Sequence, residues 1–341
     1  MIEFLSEDSV TVFQDPTKNW EITRRTTQIR KDPLTGIRTR ILDYPVHMPP
    51  PPDMTEMAEQ TAQTCPFCRP RVMEVTPKYL PEVSPEGRFT RGESVLFPNI
   101  FPYDENSAVA VFSNQHYVRM SELTADYLMD GFLTAGDYAR ALSRAYPGTK
   151  RYFSLNWNYM PVAGASIIHP HYQIVAGHEP TNYHDTLLQA SAQFYKTHQV
   201  SYWPSLVAVE KEKAERYLGR RGKVDWLIAY APRGLIEVVG VAEDAAQVEE
   251  LVPERWRDLA EGLQTVFGYF AEKGFPGFNL TLFSGMEEDR EHYRLQVRVV
   301  PRTLLSALGT NEVNYFKMLH EECLTMIRPE EAAAELKKAF A

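Results

Sequence analysis

Residues 167–175 read Ile167-Ile168-His169-Pro170-His171-Tyr172-Gln173-Ile174-Val175. The pattern predicts a β-strand over Ile167–Ala176. Successive side chains on a strand point to opposite faces, so His169, His171 and Gln173 share one face. A neutral imidazole carries a lone pair that can attack phosphorus, provided an acceptor holds its other ring N–H. An amide two residues on can donate to a phosphoryl oxygen as charge builds there. An isolated His-x-His is as often a pair of surface histidines on a polar strand. Gln173 and a cysteine pair upstream tip the reading toward chemistry.

Working outward from this strand, Ser107–Phe112 and Arg151–Trp157 read as further strands. Leu123, Leu128, Phe132, Ala135, Ala139 and Leu142 recur at helical spacing over Leu123–Leu142. The same order returns downstream, with strands at Trp226–Tyr230 and Leu235–Val241 and a helix over Glu254–Lys273 ending before Gly274. Strands at Phe278–Ser284 and Tyr293–Val300 close the repeat. The double pattern predicts an α+β chain of two related halves, each an antiparallel sheet with packed helices. The first 90 or so residues read as irregular, with Pro49-Pro50-Pro51-Pro52 an extended connector and a second proline-bearing stretch from Pro77 to Pro85. The tail reads as two helices, Glu312–Ile327 and Glu330–Phe340, the second introduced by Pro329. Ala214–Leu218 reads as part of a solvated amphipathic helix.

Cys65-Pro66-Phe67-Cys68 is the second chemical signal. Two thiolates at this spacing can hold one Zn²⁺ at about 2.3 Å each, with His116 and His169 as candidates for the other two ligands. A redox dithiol and two unrelated cysteines are the alternatives. A redox pair normally opens a helix after a strand, which the flanking prolines do not resemble.

The 341 residues are 44% hydrophobic and 24% charged, an ordinary globular composition with room for a large core. A net charge of −9 argues against general nucleic-acid binding, which needs a basic surface. Three cysteines cannot build a disulfide framework. Nothing at the N-terminus reads as a signal peptide, and no run reaches the roughly 18 apolar residues of a membrane helix. The expectation is a cytoplasmic protein without nucleic-acid or membrane partners.

These motifs, in order, resemble the galactose-1-phosphate uridylyltransferase branch of the histidine-triad superfamily. The likeness starts at Arg30-Lys31-Asp32-Pro33-Leu34-Thr35-Gly36 and takes in the cysteine pair. It continues through Phe112-Ser113-Asn114-Gln115-His116 with Ser121-Glu122-Leu123-Thr124, and Gly164-Ala165-Ser166 leading into the strand to Gln173. Weaker likeness runs on to about residue 340. The resemblance implies two fused histidine-triad-like halves. Residues 1–200 would hold the zinc site and active strand, and residues 201–341 the second half and terminal helices. It implies Cys65, Cys68, His116 and His169 as structural zinc ligands, His171 as the nucleophile that becomes nucleotidylated, and Gln173 bracing the phosphate. Asn158 and Ser166 match phosphate-side positions, and Asn99 matches a nucleoside-contacting stretch. The implied reaction is ping-pong. A nucleoside-diphosphate sugar gives its nucleotidyl group to His171, and a sugar 1-phosphate then takes it. A phosphorylase with inorganic phosphate as acceptor is the close variant. A zinc-stabilised, non-catalytic nucleotide-binding protein is the competing class, and turnover separates it. The family often forms homodimers.

The departures from the family concern substrate. Tyr172 stands where glycine is common, and Ile100 replaces an acidic residue expected to hold the ribose. The sugar-phosphate arginines are not matched in Tyr44-Pro45-Val46-His47-Met48. Gln296-Val297-Arg298 replaces the His-x-His of a second metal site, and arginine offers no free lone pair, so no second metal is expected. Arg298 reads first as a strand-face ion pair and second as a phosphate or carboxylate ligand. His178, His184 and His198 read as solvated. Cys323 reads as packed within the Glu312–Ile327 helix. The aromatic run Tyr152, Phe153, Trp157 and Tyr159 reads as core, with Trp157 and Tyr159 in reach of a base.

Overall fold

The computed structural model describes residues 2–44, 48–306 and 309–341; of the segment at 44–48, residues 45–47 lie outside these. The chain opens with strands β1 (Ser6–Asp15), β2 (Glu21–Lys31) and β3 (Arg38–Leu42), followed by helices α1 (Thr55–Ala62) and α2 (Arg71–Glu74). The first half of the core is β4 (Phe89–Arg91), β5 (Ser94–Pro98), β6 (Ala108–Val111), α3 (Ala125–Ala145), β7 (Tyr152–Tyr159) and β8 (His171–Gly177). Helices α4 (Asn182–His198) and α5 (Tyr202–Lys213) lead into the second half. That half is β9 (Tyr217–Arg221), β10 (Val224–Ile228), β11 (Val238–Ala242), α6 (Pro253–Glu272), β12 (Gly277–Phe283) and β13 (Gln296–Arg302). The tail adds α7 (Tyr315–Leu319), β14 (Cys323–Thr325) and α8 (Pro329–Phe340).

The two halves share one ten-stranded antiparallel sheet, in the order β4-β5-β6-β8-β7-β12-β13-β11-β10-β9. The order reads the same from either end, about the β7–β12 seam. One row of paired residues runs Val109, Gln173, Asn156, Thr281, Arg298, Val239 across the seam. By this internal symmetry Arg298 occupies the position of Gln173, and Gln296 that of His171.

Alternation divides the sheet into two unlike faces. Leu155, Trp157, Tyr172, Ile174, Phe278, Leu280, Val297 and Val299 pack in the main core with residues of α3 and α6. The bulky ring expected at residue 172 falls here. Tyr172 is fully buried between Phe112 and Phe132, stacked at 4.4 and 5.2 Å between ring centroids. The helix makes room with Gly131, where an added Cβ would meet Phe112 Cβ at 2.4 Å and Tyr172 Cε2 at 2.8 Å. On the other face, Phe67 packs with Val95, Phe97, Val109 and Val111 in the first half, and side chains of α4 and α5 cover Leu227, Val239 and Val241 in the second. Between these apolar flanks lies a polar strip of Asn156, Asn158, Asn279 and Thr281.

Four sequence expectations change. The N-terminal 44 residues are not irregular, because β1, β2, β3 and β14 form a second sheet. Its ribbon was hard to read because it has no buried face: Val10, Val12 and Ile22 are all more than half exposed. Glu312–Ile327 is not one helix. The five-residue α7 ends before Glu321, whose φ is +56°, and Cys323 and Thr325 then pair in parallel with Thr39 and Ile41 of β3. The strand predicted from Ile167 begins only at His171, because the segment through Pro170 is loop and proline supplies no ladder N–H. Ala214–Leu218 is no solvated helix either. Ala214 caps α5 in the left-handed region, and Arg216 is 2% exposed, paired with Glu210 and Glu330.

Candidate active site and metal centre

The four predicted metal ligands converge. The donor atoms of Cys65, Cys68, His116 and His169 all lie within 4.8 Å of one another. Cys68 Sγ is 3.4 Å from His116 Nδ1 and 3.5 Å from His169 Nδ1, and Cys65 Sγ is 3.8 Å from His169 Nδ1. A tetrahedral ion with bonds of about 2.0–2.3 Å has donor–donor edges of roughly 3.3–3.8 Å, which these three separations match. The outer nitrogens orient the rings. His169 Nε2–H donates to the Ser113 carbonyl at 2.8 Å and His116 Nε2–H to Thr61 Oγ1 at 2.9 Å, which turns each Nδ1 lone pair inward. Burial holds the His169 imidazole down at about 4, so it is neutral as a ligand must be. Burial, followed by the neighbouring Cys65, pushes the Cys68 thiol up to about 11, a crowding that a divalent cation would relieve.

His171 opens β8, two residues past this cluster, on the polar face. It is 7% exposed. Its Nδ1–H donates to the His169 carbonyl at 2.8 Å, which fixes the tautomer with the lone pair on Nε2. Nε2 has no partner among the described residues and is not sealed from solvent. Burial lowers the His171 pKa, and the hydrogen bond to His169 opposes this only in part, so the ring is neutral at ordinary pH. The Phe67 ring stands against it, with centroids 5.1 Å apart at 66°.

Gln173 follows on the same face, and its side-chain amide has no partner among the described residues. Asn158 Oδ1 accepts from Asn279 Nδ2 at 2.7 Å, and Asn279 Oδ1 accepts from Arg302 at 2.9 Å. Asn156 Oδ1 accepts from Thr281 at 2.9 Å. Ser166 is exposed on the loop before β8. Asn99 follows the last residue of β5, its Oδ1 taking the Phe101 N–H at 3.0 Å. Neither Ser166 nor Asn99 hydrogen-bonds His171 or Gln173. Ile100 is 66% exposed.

Sequence reasoning missed Phe67 and the second-half members of the strip. Asn279 and Thr281 alternate with Phe278, Leu280 and Leu282, which marks a two-faced strand, but nothing local says that its polar face joins that of His171. His184 was expected to be solvated and is instead 1% exposed, packed against Tyr152, Phe283 and Tyr293. Burial holds it at about 4. Trp157 and Tyr159 lie in the core face, away from the strip. Arg298 is buried and ion-paired to Glu237 at 2.6 Å, with its Nε donating to Gln296 at 2.7 Å. His178 is exposed and 3.5 Å from Glu105.

The chain shares its fold with solved structures of a GalT-like protein, an ADP-glucose phosphorylase and a uridylyltransferase. An ADP-glucose phosphorylase from Arabidopsis thaliana, solved with bound ADP-glucose, superposes with a TM-score of 0.70 at 15% identity, over 92% of this chain and 98% of that one. A uridylyltransferase superposes at 0.66 and 21% identity, again over 92% and 98%. Within this fold, the chain belongs to the same family as a protein of Archaeoglobus fulgidus described as uncharacterized, with 32% identity over 313 residues and 92% of each chain covered. No protein-family model matches the chain. No helix among the described residues is long and apolar enough to cross a membrane.

Proposed function

We propose that the chain is a nucleotidyltransferase that passes a nucleoside monophosphate through a covalent adduct on His171 Nε2. The observation that carries this reading is the Nδ1–H bond to the His169 carbonyl, which leaves Nε2 as a partnerless lone pair on the strand face that also carries the Gln173 amide. Nε2 attacks the α-phosphorus of a nucleoside-diphosphate sugar, and the bond from phosphorus to the bridging oxygen breaks to release sugar 1-phosphate. The ring gains positive charge in this step, and the His169 carbonyl dipole stabilises it through Nδ1–H. Gln173 donates to a non-bridging oxygen, with Asn158 and Ser166 on the phosphate side and Asn99 on the nucleoside side. An acceptor phosphate then attacks the adduct and restores the neutral imidazole. Zinc on Cys65, Cys68, His116 and His169 would supply rigidity, tying the cysteine loop to the start of β8.

A sugar 1-phosphate acceptor makes the chain a hexose-1-phosphate uridylyltransferase-like enzyme. The segment at residues 44–48 has no arginine, and this favours a second reading in which inorganic phosphate is the acceptor. Incubation with UDP-, ADP- and GDP-sugars, each with and without phosphate, separates the two by their products. Intact-protein mass spectrometry should find a nucleotidyl adduct on the wild type and none on His171→Ala. A wild type that stays unmodified with all three sugars leaves the non-catalytic reading standing.

A further inference from the structure

We propose that Phe67 is a positioning residue for His171, so that the metal loop acts on the chemistry through this ring. The inference rests on His171 being the nucleophile.

Three constraints meet at the His171 side chain. Its backbone is fixed in β8 opposite Val111, and its Nδ1–H is held by the His169 carbonyl. These leave the far edge of the imidazole without a hydrogen bond, because Nε2 has no partner among the described residues. Phe67 supplies the missing contact, edge to face at 5.1 Å. An aromatic pair in this geometry opposes rotation of the imidazole out of line and keeps bulk water off one face.

Phe67 is itself held from two sides. Its backbone N–H points at Cys65 Sγ at 3.4 Å, so the loop that carries it is set by the metal ligands. Its ring also packs on Phe97 at 5.8 Å and stands edge-on to His169 at 6.3 Å. The order of support therefore runs from metal ligands to loop, from loop to the Phe67 ring, and from that ring to the imidazole.

The test measures single-turnover adduct formation with UDP-glucose and ADP-glucose in Phe67→Ala, Phe67→Tyr and Val95→Ala. Val95 lies in the same apolar cluster and measures the cost of loosening that cluster. Metal content should be unchanged in all three. The Phe67→Ala rate at saturating nucleotide sugar should fall by roughly a hundredfold, with little change in the half-saturating concentration. Phe67→Tyr should restore the rate, and Val95→Ala should keep it despite lower stability. Nitrogen-15 spectra of the histidine side chains should show sharp His171 ring lines in the wild type and exchange-broadened ones in Phe67→Ala, as the unbraced ring swings and the Nδ1–H bond to the His169 carbonyl opens. Three results overturn the proposal: a raised half-saturating concentration at unchanged maximal rate, equal rate losses in Val95→Ala and Phe67→Ala, or His171 ring lines as sharp in Phe67→Ala as in the wild type. A wild type that forms no adduct overturns the nucleophile assignment instead, and the spectra then still decide the positioning claim.

Discussion

The two faces of β8 put opposite demands on adjacent residues. His171 needs one ring nitrogen held and the other free, while Tyr172 needs a close-packed slot. The slot is shaped by the absence of a side chain at Gly131, on the facing turn of α3. Gly131→Ala drives a methyl into the ring stack, and overpacking of this kind costs about 1–3 kcal/mol. Urea unfolding should register that loss. Because Tyr172 lies directly between His171 and Gln173, the variant should also slow adduct formation. Unchanged stability would mean that α3 can shift and that the slot is not rigid.

At the scale of elements, the cysteine-and-histidine cluster joins a loop outside the large sheet to the ends of two of its paired strands. Cys65 and Cys68 lie in the loop between α1 and α2, His116 follows β6, and His169 precedes β8. A cation held by the four donors would close the loop onto those strands. Chelation, or Cys68→Ser, should lower Tm by roughly 5 °C, taking about 1–2 °C per kcal/mol for a chain of this length and a loss of a few kcal/mol. Metal analysis alongside calorimetry tests this, and a Tm indifferent to chelator would remove the structural role. The second half shows the alternative solution. At the symmetric positions, Arg298, Glu237 and Gln296 form a buried ion-paired cluster where the first half has His171 and Gln173.

Across the whole molecule, the N-terminal sheet and the tail are fastened to the core by one charged knot. Glu330 at the start of α8 accepts from Arg30 of β2 at 2.8 and 2.9 Å and from Arg216 at 2.8 Å. Burial opposes its ionisation, but the two guanidinium groups prevail and hold the carboxyl at about 2. A carboxyl depressed from its ordinary 4.5 stabilises the fold fully above that value. The contribution drains away as pH falls from about 4.5 toward 2. Glu330→Gln should therefore cost about 1–3 kcal/mol at pH 7, and the gap from wild type should close on acidification through that window. Urea midpoints at pH 7, 4 and 2.5 test the sign, and a gap that widens in acid contradicts it.

The sequence by itself determined the local chemistry and the repeated order of elements. The period-2 alternation of β7, β8, β12 and β13 and the helical stripes of α3 and α6 are properties of neighbouring residues, so they are legible without a fold. The same is true of the Cys65–Cys68 spacing and the His171–Gln173 alternation. Only the tertiary structure decided the rest. The seam that fuses two half-sheets into one depends on the pairing of β7 with β12, and a strand's free edge leaves no mark on its own composition. The N-terminal ribbon has no buried face to give it a pattern, and the five-residue α7 followed by β14 imitates a helical period. Phe67 reads as one more apolar residue until the metal loop is folded over β8, because what it touches lies about a hundred residues away.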